Sequence, residues 1–212
     1  MRKLLVYLLL VSLPSFINAQ IGIKAGLNFA NVSNASSINN SSQTGFHAGL
    51  LLAPSSKSII SSRTEILYSK QGYNYKSSSN TGTVNLNYIM LQQGMCINIT
   101  KYFSLFGGAQ TAYLINAKVD SSNGGSNTNN PYGGQFMSLY NRMDYGVGVG
   151  VEVHPILGLL IGVKYNLSLG KLYDSAQTGQ MPSFSKSDLK NNVVQISAGW
   201  IFGKQKSKKK SS

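Results

Sequence analysis

Residues 143–170 read MDYGVGVGVEVHPILGLLIGVKYNLSLG, and the two halves of this stretch alternate with almost no error. Val147, Val149, Val151 and Val153 take one parity, against Gly146, Gly148, Gly150 and Glu152 on the other. After the break at HPILG, Leu159, Ile161, Val163, Tyr165, Leu167 and Leu169 oppose Gly162, Lys164, Asn166, Ser168 and Gly170. A period of two means extended strands with one oily face and one small or polar face. Sustained over about ten residues, it exceeds the five or six usual in a soluble sheet and suits a tilted strand that crosses a membrane.

Composition points the same way. Only 12% of the 212 residues are charged, about half the usual quarter. A soluble sandwich needs more Lys and Glu on its wet face. Gly at 22 and Tyr at 12 are high, as expected where backbones curve and where aromatic rings, here Tyr68, Tyr88, Tyr113, Tyr145, Tyr165 and Tyr173 at strand ends, sit at membrane interfaces. Of the formal net charge of +13, two charges belong to Arg2 and Lys3 and five to the lysines of residues 204–212, which leaves +6 for the body. Those terminal lysines are expected to form a solvated, disordered tail, since like charges in a run do not pack. Cys96 is the chain's single cysteine, so no intramolecular disulfide forms.

At the N-terminus Arg2 and Lys3 precede LLVYLLLVSL, then Pro14 and the small-residue exit Ile17-Asn18-Ala19. This is the pattern of a secretory signal peptide over residues 1–19, cleaved before Gln20. Beyond it, eight extended segments can be counted, with longer or polar connections after the first, third, fifth and seventh and short turns after the others. The expected connections include 31–43, 119–138 and 174–188 on the long side, with APSSK, Thr100-Lys101 and HPILG on the short side. The Asn/Ser-rich loops are expected to be mobile. The fold expected is an all-β, eight-stranded antiparallel up-and-down transmembrane barrel over residues 20–203, with short periplasmic turns and longer extracellular loops. An even strand number returns both ends of the barrel to the periplasm. Outer-membrane lipids are the expected surroundings, and export argues against a nucleic-acid partner. A soluble lipocalin-like carrier, with the same alternation turned inside out, is the alternative fold reading.

The inward parity offers Lys24, His47, Arg63, Glu65, Asp144, Glu152 and Lys164 among Gly, Ser and Asn. Eight strands enclose an interior just wide enough to be filled by side chains. Opposite charges there should pair, because an unpaired charge away from water is expensive. The expected role of these seven is a structural polar network. Two His without a matching set of Cys, Asp or Glu make a poor metal site, no phosphate loop or GxSxG nucleophile motif is present, and neither cofactor nor enzymatic activity is expected.

The order of motifs TEILYSKQGYNY, LNYIMLQQGM, FSLFGGAQTAYLINAK, YNRMDYGVGVGVEV and KYNLSLGKLYD, with a closing strand to IFG, resembles the PorT-like or "porin family" outer-membrane β-barrel proteins of gram-negative bacteria. It departs from that pattern at Met90 and Gln92, where similar proteins carry Glu and Pro. The resemblance implies a bacterial outer-membrane address and makes a secretion link conceivable. The function expected is a non-enzymatic barrel with a filled lumen and an envelope, surface-interaction or secretion-accessory role. A narrow ion or small-solute channel is the alternative function.

Overall fold

A computed structural model describes residues 19–33, 39–54, 58–76, 81–122, 140–173 and 189–203. Eight strands run in sequence order: β1 (Ala19–Ser33), β2 (Asn39–Pro54), β3 (Ile60–Lys76), β4 (Thr81–Asn98), β5 (Phe103–Ser122), β6 (Met143–Val153), β7 (Leu159–Ser168) and β8 (Lys190–Ile201). Each pairs antiparallel with its chain neighbour, and β1 pairs with β8 from Gly22↔Ile201 to Ser33↔Lys190, so the sheet closes into a barrel. Closure leaves no strand edge unpaired, the condition for putting a sheet into hydrocarbon. The expected fold class is therefore the one observed.

The expected faces are also observed. Ile21, Ile23 and Leu27 of β1, Val147, Val149 and Val151 of β6, Ile161, Val163 and Tyr165 of β7, and Ile196 and Trp200 of β8 are all exposed on the outer wall. Along β7 this row spans about ten residues, which at ~40° of tilt covers roughly the 25 Å height of a barrel's apolar band. An inverted carrier, with the oily row inside, is ruled out by this orientation.

Three strands run longer than expected. β1 and β2 continue through Asn31–Ser33 and from Asn39, and β5 reaches Ser122 with 20 residues, while β3 and β4 have 17 and 18. The expected 31–43 connection therefore shrinks to residues 34–38, and residues 119–122 belong to β5. The loops expected at 123–138 and 174–188, the signal segment up to residue 18 and the basic tail at 204–212 lie outside the described residues.

Along these extensions the wall reverses its polarity. On β4, Ile89, Met95 and Ile97 face out and Gln92, Gly94 and Cys96 face in. Past Tyr88, Val84 and Leu86 face in, with Thr83, Asn85 and Asn87 on the outside. β5 keeps in step by a bulge at Ile115, between the pairs Asn87↔Asn116 and Tyr88↔Leu114, which turns Asn116 out and Ala117 in. The extracellular half thus holds an apolar core in which Tyr73, Leu86, Tyr88 and Leu114 meet Tyr140, Leu172, Tyr173 and Leu189. Tyr140 stacks on Tyr173 with ring centroids 4.8 Å apart, and the Tyr73 and Tyr173 hydroxyls lie 2.7 Å apart. Of the tyrosines expected at strand ends, Tyr113, Tyr145 and Tyr165 lie on the outer wall, whereas Tyr88 and Tyr173 are buried in this core. Their ring area is better removed from water inside than left on a wall that has already left the membrane.

This reversal predicts a position-dependent response to charge. Val149→Arg, in the middle of the outer apolar row, should cost about 2–4 kcal/mol in urea unfolding from lipid vesicles. Asn116→Arg, on the outer wall of the extension, should stay within about 0.5 kcal/mol. Equal costs would place the bilayer elsewhere on the barrel.

Candidate functional site

The glycine face of β6 is what makes room for the site. A Cβ on Gly150 would meet the Lys164 Cγ at 2.6 Å and the Val163 carbonyl at 2.5 Å, and one on Gly148 would meet Asn166 Oδ1 at 2.5 Å. The empty side of the Val-Gly alternation is therefore filled by the long side chains of β7. Lys164 extends across this space, its Nζ 3.6 Å from the Phe106 ring centroid, a cation–π contact that partly replaces lost hydration.

At that level five of the seven expected residues meet. Glu65 accepts from Lys24 Nζ at 2.8 Å and from Lys164 Nζ at 2.7 Å, one lysine on each carboxylate oxygen. Arg63, on the same strand and the same face, lies 3.1 Å from Glu152 Oε2 and 3.8 Å from Glu65 Oε1. Lys164 is 3.8 Å from Glu152 Oε1. The side chains come from β1, β3, β6 and β7, so the pairs cross the lumen. Glu65 has no exposed surface and Lys24 is 2% exposed. Ions this dry persist only when paired and hydrogen-bonded together.

The other two stand apart. His47 Nδ1 donates to Asn28 Oδ1 at 2.8 Å, in an amide layer just beyond the ions. Asn28 also accepts from Gln195 Nε2 and donates to Ser69 Oγ. Because the Asn28 amide nitrogen is the donor toward Ser69, its oxygen is the acceptor, and the His47 proton sits on Nδ1. Asp144, at the start of β6, accepts from the Ser168 hydroxyl and from the Tyr145 amide, the latter at 2.8 Å. Among the described residues no ion pair reaches it. Gln110, Gln195 and Phe106 also face the lumen and carry no charge to mark them in the sequence. Their inward parity was the available signal, and neutral amides on an inward face look like filler until their partners are known. Gln92, a point of departure from the resemblance, donates to Gln110 Oε1 and Asn166 Oδ1.

This set offers ion pairing and hydrogen bonding. Among the described residues no three His, Cys, Asp or Glu side chains gather to hold a metal ion. A closed eight-stranded antiparallel barrel, oily outside at membrane level and ionic within, defines a class: the transmembrane β-barrels of outer membranes. The chain belongs to one family of that class, the outer membrane protein beta-barrel domain, whose model matches residues 12–174. Its place is accordingly the outer membrane.

Solved structures of similar shape include Ail, the attachment invasion locus protein of Yersinia pestis, at 16% identity and TM-score 0.48 over 88% of this chain and 100% of that one. Neisserial surface protein A follows at 15% and 0.49 over 87% and 99%. OprG from Pseudomonas aeruginosa gives 10% and 0.41 over 87% and 96%. No curated protein matches the chain.

Glu65 is the acceptor both lysines depend on. Glu65→Gln should therefore destabilise the folded barrel by about 3–5 kcal/mol by leaving buried cations uncompensated. Asp144→Asn should cost about 1–2 kcal/mol. Urea titration of the two variants in vesicles at neutral pH checks the order. A Glu65→Gln barrel as stable as the Asp144→Asn one would show that the lysines do not need that carboxylate.

Proposed function

We propose that the protein is a non-enzymatic outer-membrane barrel with a lumen filled by its own side chains, acting through its surface in an envelope, interaction or secretion-accessory role. The observation that carries this reading is the pair of lysines held on Glu65 from β1 and β7, since a water path along the lumen must part them. The tyrosine-rich core beyond the amide layer supports it, because apolar side chains there are packed against one another. The motif order that resembles PorT-like barrels supports the secretion-accessory form of the role. The seven inward residues serve as structural groups in this reading, five as an ionic plug and two as anchors of neutral layers.

Planar-bilayer recording of the purified barrel in concentrated KCl tests the plug. No discrete conductance steps are expected, and steps from the unmodified protein would favour a narrow channel instead. The proposed domain plan has residues 1–19 removed on export, 20–203 as the barrel and 204–212 as a basic tail. N-terminal sequencing of protein extracted from native membranes should accordingly begin at Gln20, and recovery of Met1 would count against processing.

A further inference from the structure

The periplasmic mouth of the barrel opens into a cavity of about 500 Å³ that the plug does not explain. Arg63 reaches it from the ion cluster, Ser61, Asn98, Ser104 and His154 form polar walls, and Ile59, Ile156 and Leu157 lie exposed at the rim. The polar walls are held in place. Asn98 Nδ2 donates to the Ser58 carbonyl at 2.6 Å, Ser104 Oγ donates to Asn98 Oδ1 at 2.7 Å, and His154 Nε2 lies 3.2 Å from Ser104 Oγ.

Three observations place a positive charge in excess here. The buried cluster holds Lys24, Arg63 and Lys164 against Glu65 and Glu152, one cation more than it has carboxylates. Arg63 is the member that lines the cavity, and its Nε has no hydrogen-bond partner among the described residues although it is buried. The chain's remaining carboxylates, Asp120, Asp144, Asp174 and Asp188, fall in sequence at or between the extracellular ends of strands. Among the described residues no further acidic side chain lines the cavity to balance Arg63. A buried guanidinium with an unpartnered Nε, in a cluster with one cation more than carboxylates and beside an open cavity, is stabilised by an anion that offers several acceptor oxygens.

We propose that this vestibule binds a phosphate group, with Arg63 as its charged contact. The group comes either from free phosphate or from the headgroup of a periplasmic-leaflet phospholipid. The apolar rim is compatible with both sources, since it borders the membrane interface. The proposal needs the closed barrel and its mouth but not a silent lumen, so bilayer recording and phosphate binding succeed or fail separately.

Arg63 and Arg142 are the only arginines after residue 19, so arginine-selective 15N labelling of protein beginning at Gln20 gives two side-chain Nε–H signals. In zwitterionic nanodiscs, inorganic phosphate should shift the Arg63 signal saturably and leave Arg142 unmoved. Ser61→Trp, which fills the vestibule while leaving every charged member of the cluster in place in the chain, should abolish the shift. Glu152→Gln, which removes a competing carboxylate from Arg63, should tighten binding roughly ten-fold, the worth of one charge-assisted hydrogen bond. If phosphatidylglycerol in the nanodisc shifts Arg63 before phosphate is added, the source is a lipid headgroup; if it changes nothing, the source is free phosphate. An unmoved Arg63, an equal shift in Ser61→Trp, or the same shift with KCl at matched ionic strength overturns the site.

Discussion

A carboxylate with a lysine on each oxygen, at the centre of a closed sheet, is the contact on which the other features depend. Glu65 is drawn on from β1 and β7 at once, and those strands reach it only when the barrel is closed. The other carboxylates among the described residues are engaged elsewhere: Glu152 is held by Arg63 and stands 3.8 Å from Lys164, and Asp144 is occupied at another level by Ser168 and the Tyr145 amide. Removing ions from water costs several kcal/mol each, and the return depends on good geometry at both ends. That requirement accounts for glycine on the inner face of β6, since a larger side chain would displace Lys164 at position 150 and Asn166 at position 148.

The second organising feature is the reversal of wall polarity between the membrane and the extracellular half. At membrane level hydrocarbon is outside, so apolar residues face out and ions are kept dry by one another. Beyond the membrane water is outside, and the same strands become ordinary half-buried strands around a tyrosine-rich core. The bulge at Ile115 lets β5 follow this change without losing its ladder to β4. One continuous sheet thereby serves two solvents. Between the ionic and apolar layers, the Asn28–His47–Gln195 amides form a neutral step, which spares the apolar core direct contact with charge.

Much of this was legible from residue order. The hairpin of residues 143–170 is readable because hydrocarbon and lumen demand opposite side chains at every second position, and its oily row is the one that faces out. The reversal in TVNLNYIMLQQGMCI is equally present in the letters, as Val84, Leu86 and Tyr88 share a parity opposite to Ile89, Leu91 and Met95. Reading it required knowing where the membrane ends. Without that, residues 31–43 read as loop, because polar residues on a strand in water resemble polar residues in a turn. Tyr88 and Tyr173 likewise read as interface tyrosines, since a ring at a strand end has the same identity whether it faces lipid or a core.

By itself the sequence determined the strands, their inward and outward faces and the solvent they were made for, because alternation and charge density are local properties of the chain. Which charged residues meet was decided only by tertiary structure. Lys24 and Glu65 are 41 residues apart and Lys164 and Glu65 are 99 apart, and nothing local sets the height at which each projects into the lumen. That height follows from the stagger of eight paired strands around a closed circuit, which brings Lys24, Glu65 and Lys164 to one level and leaves Asp144 on another.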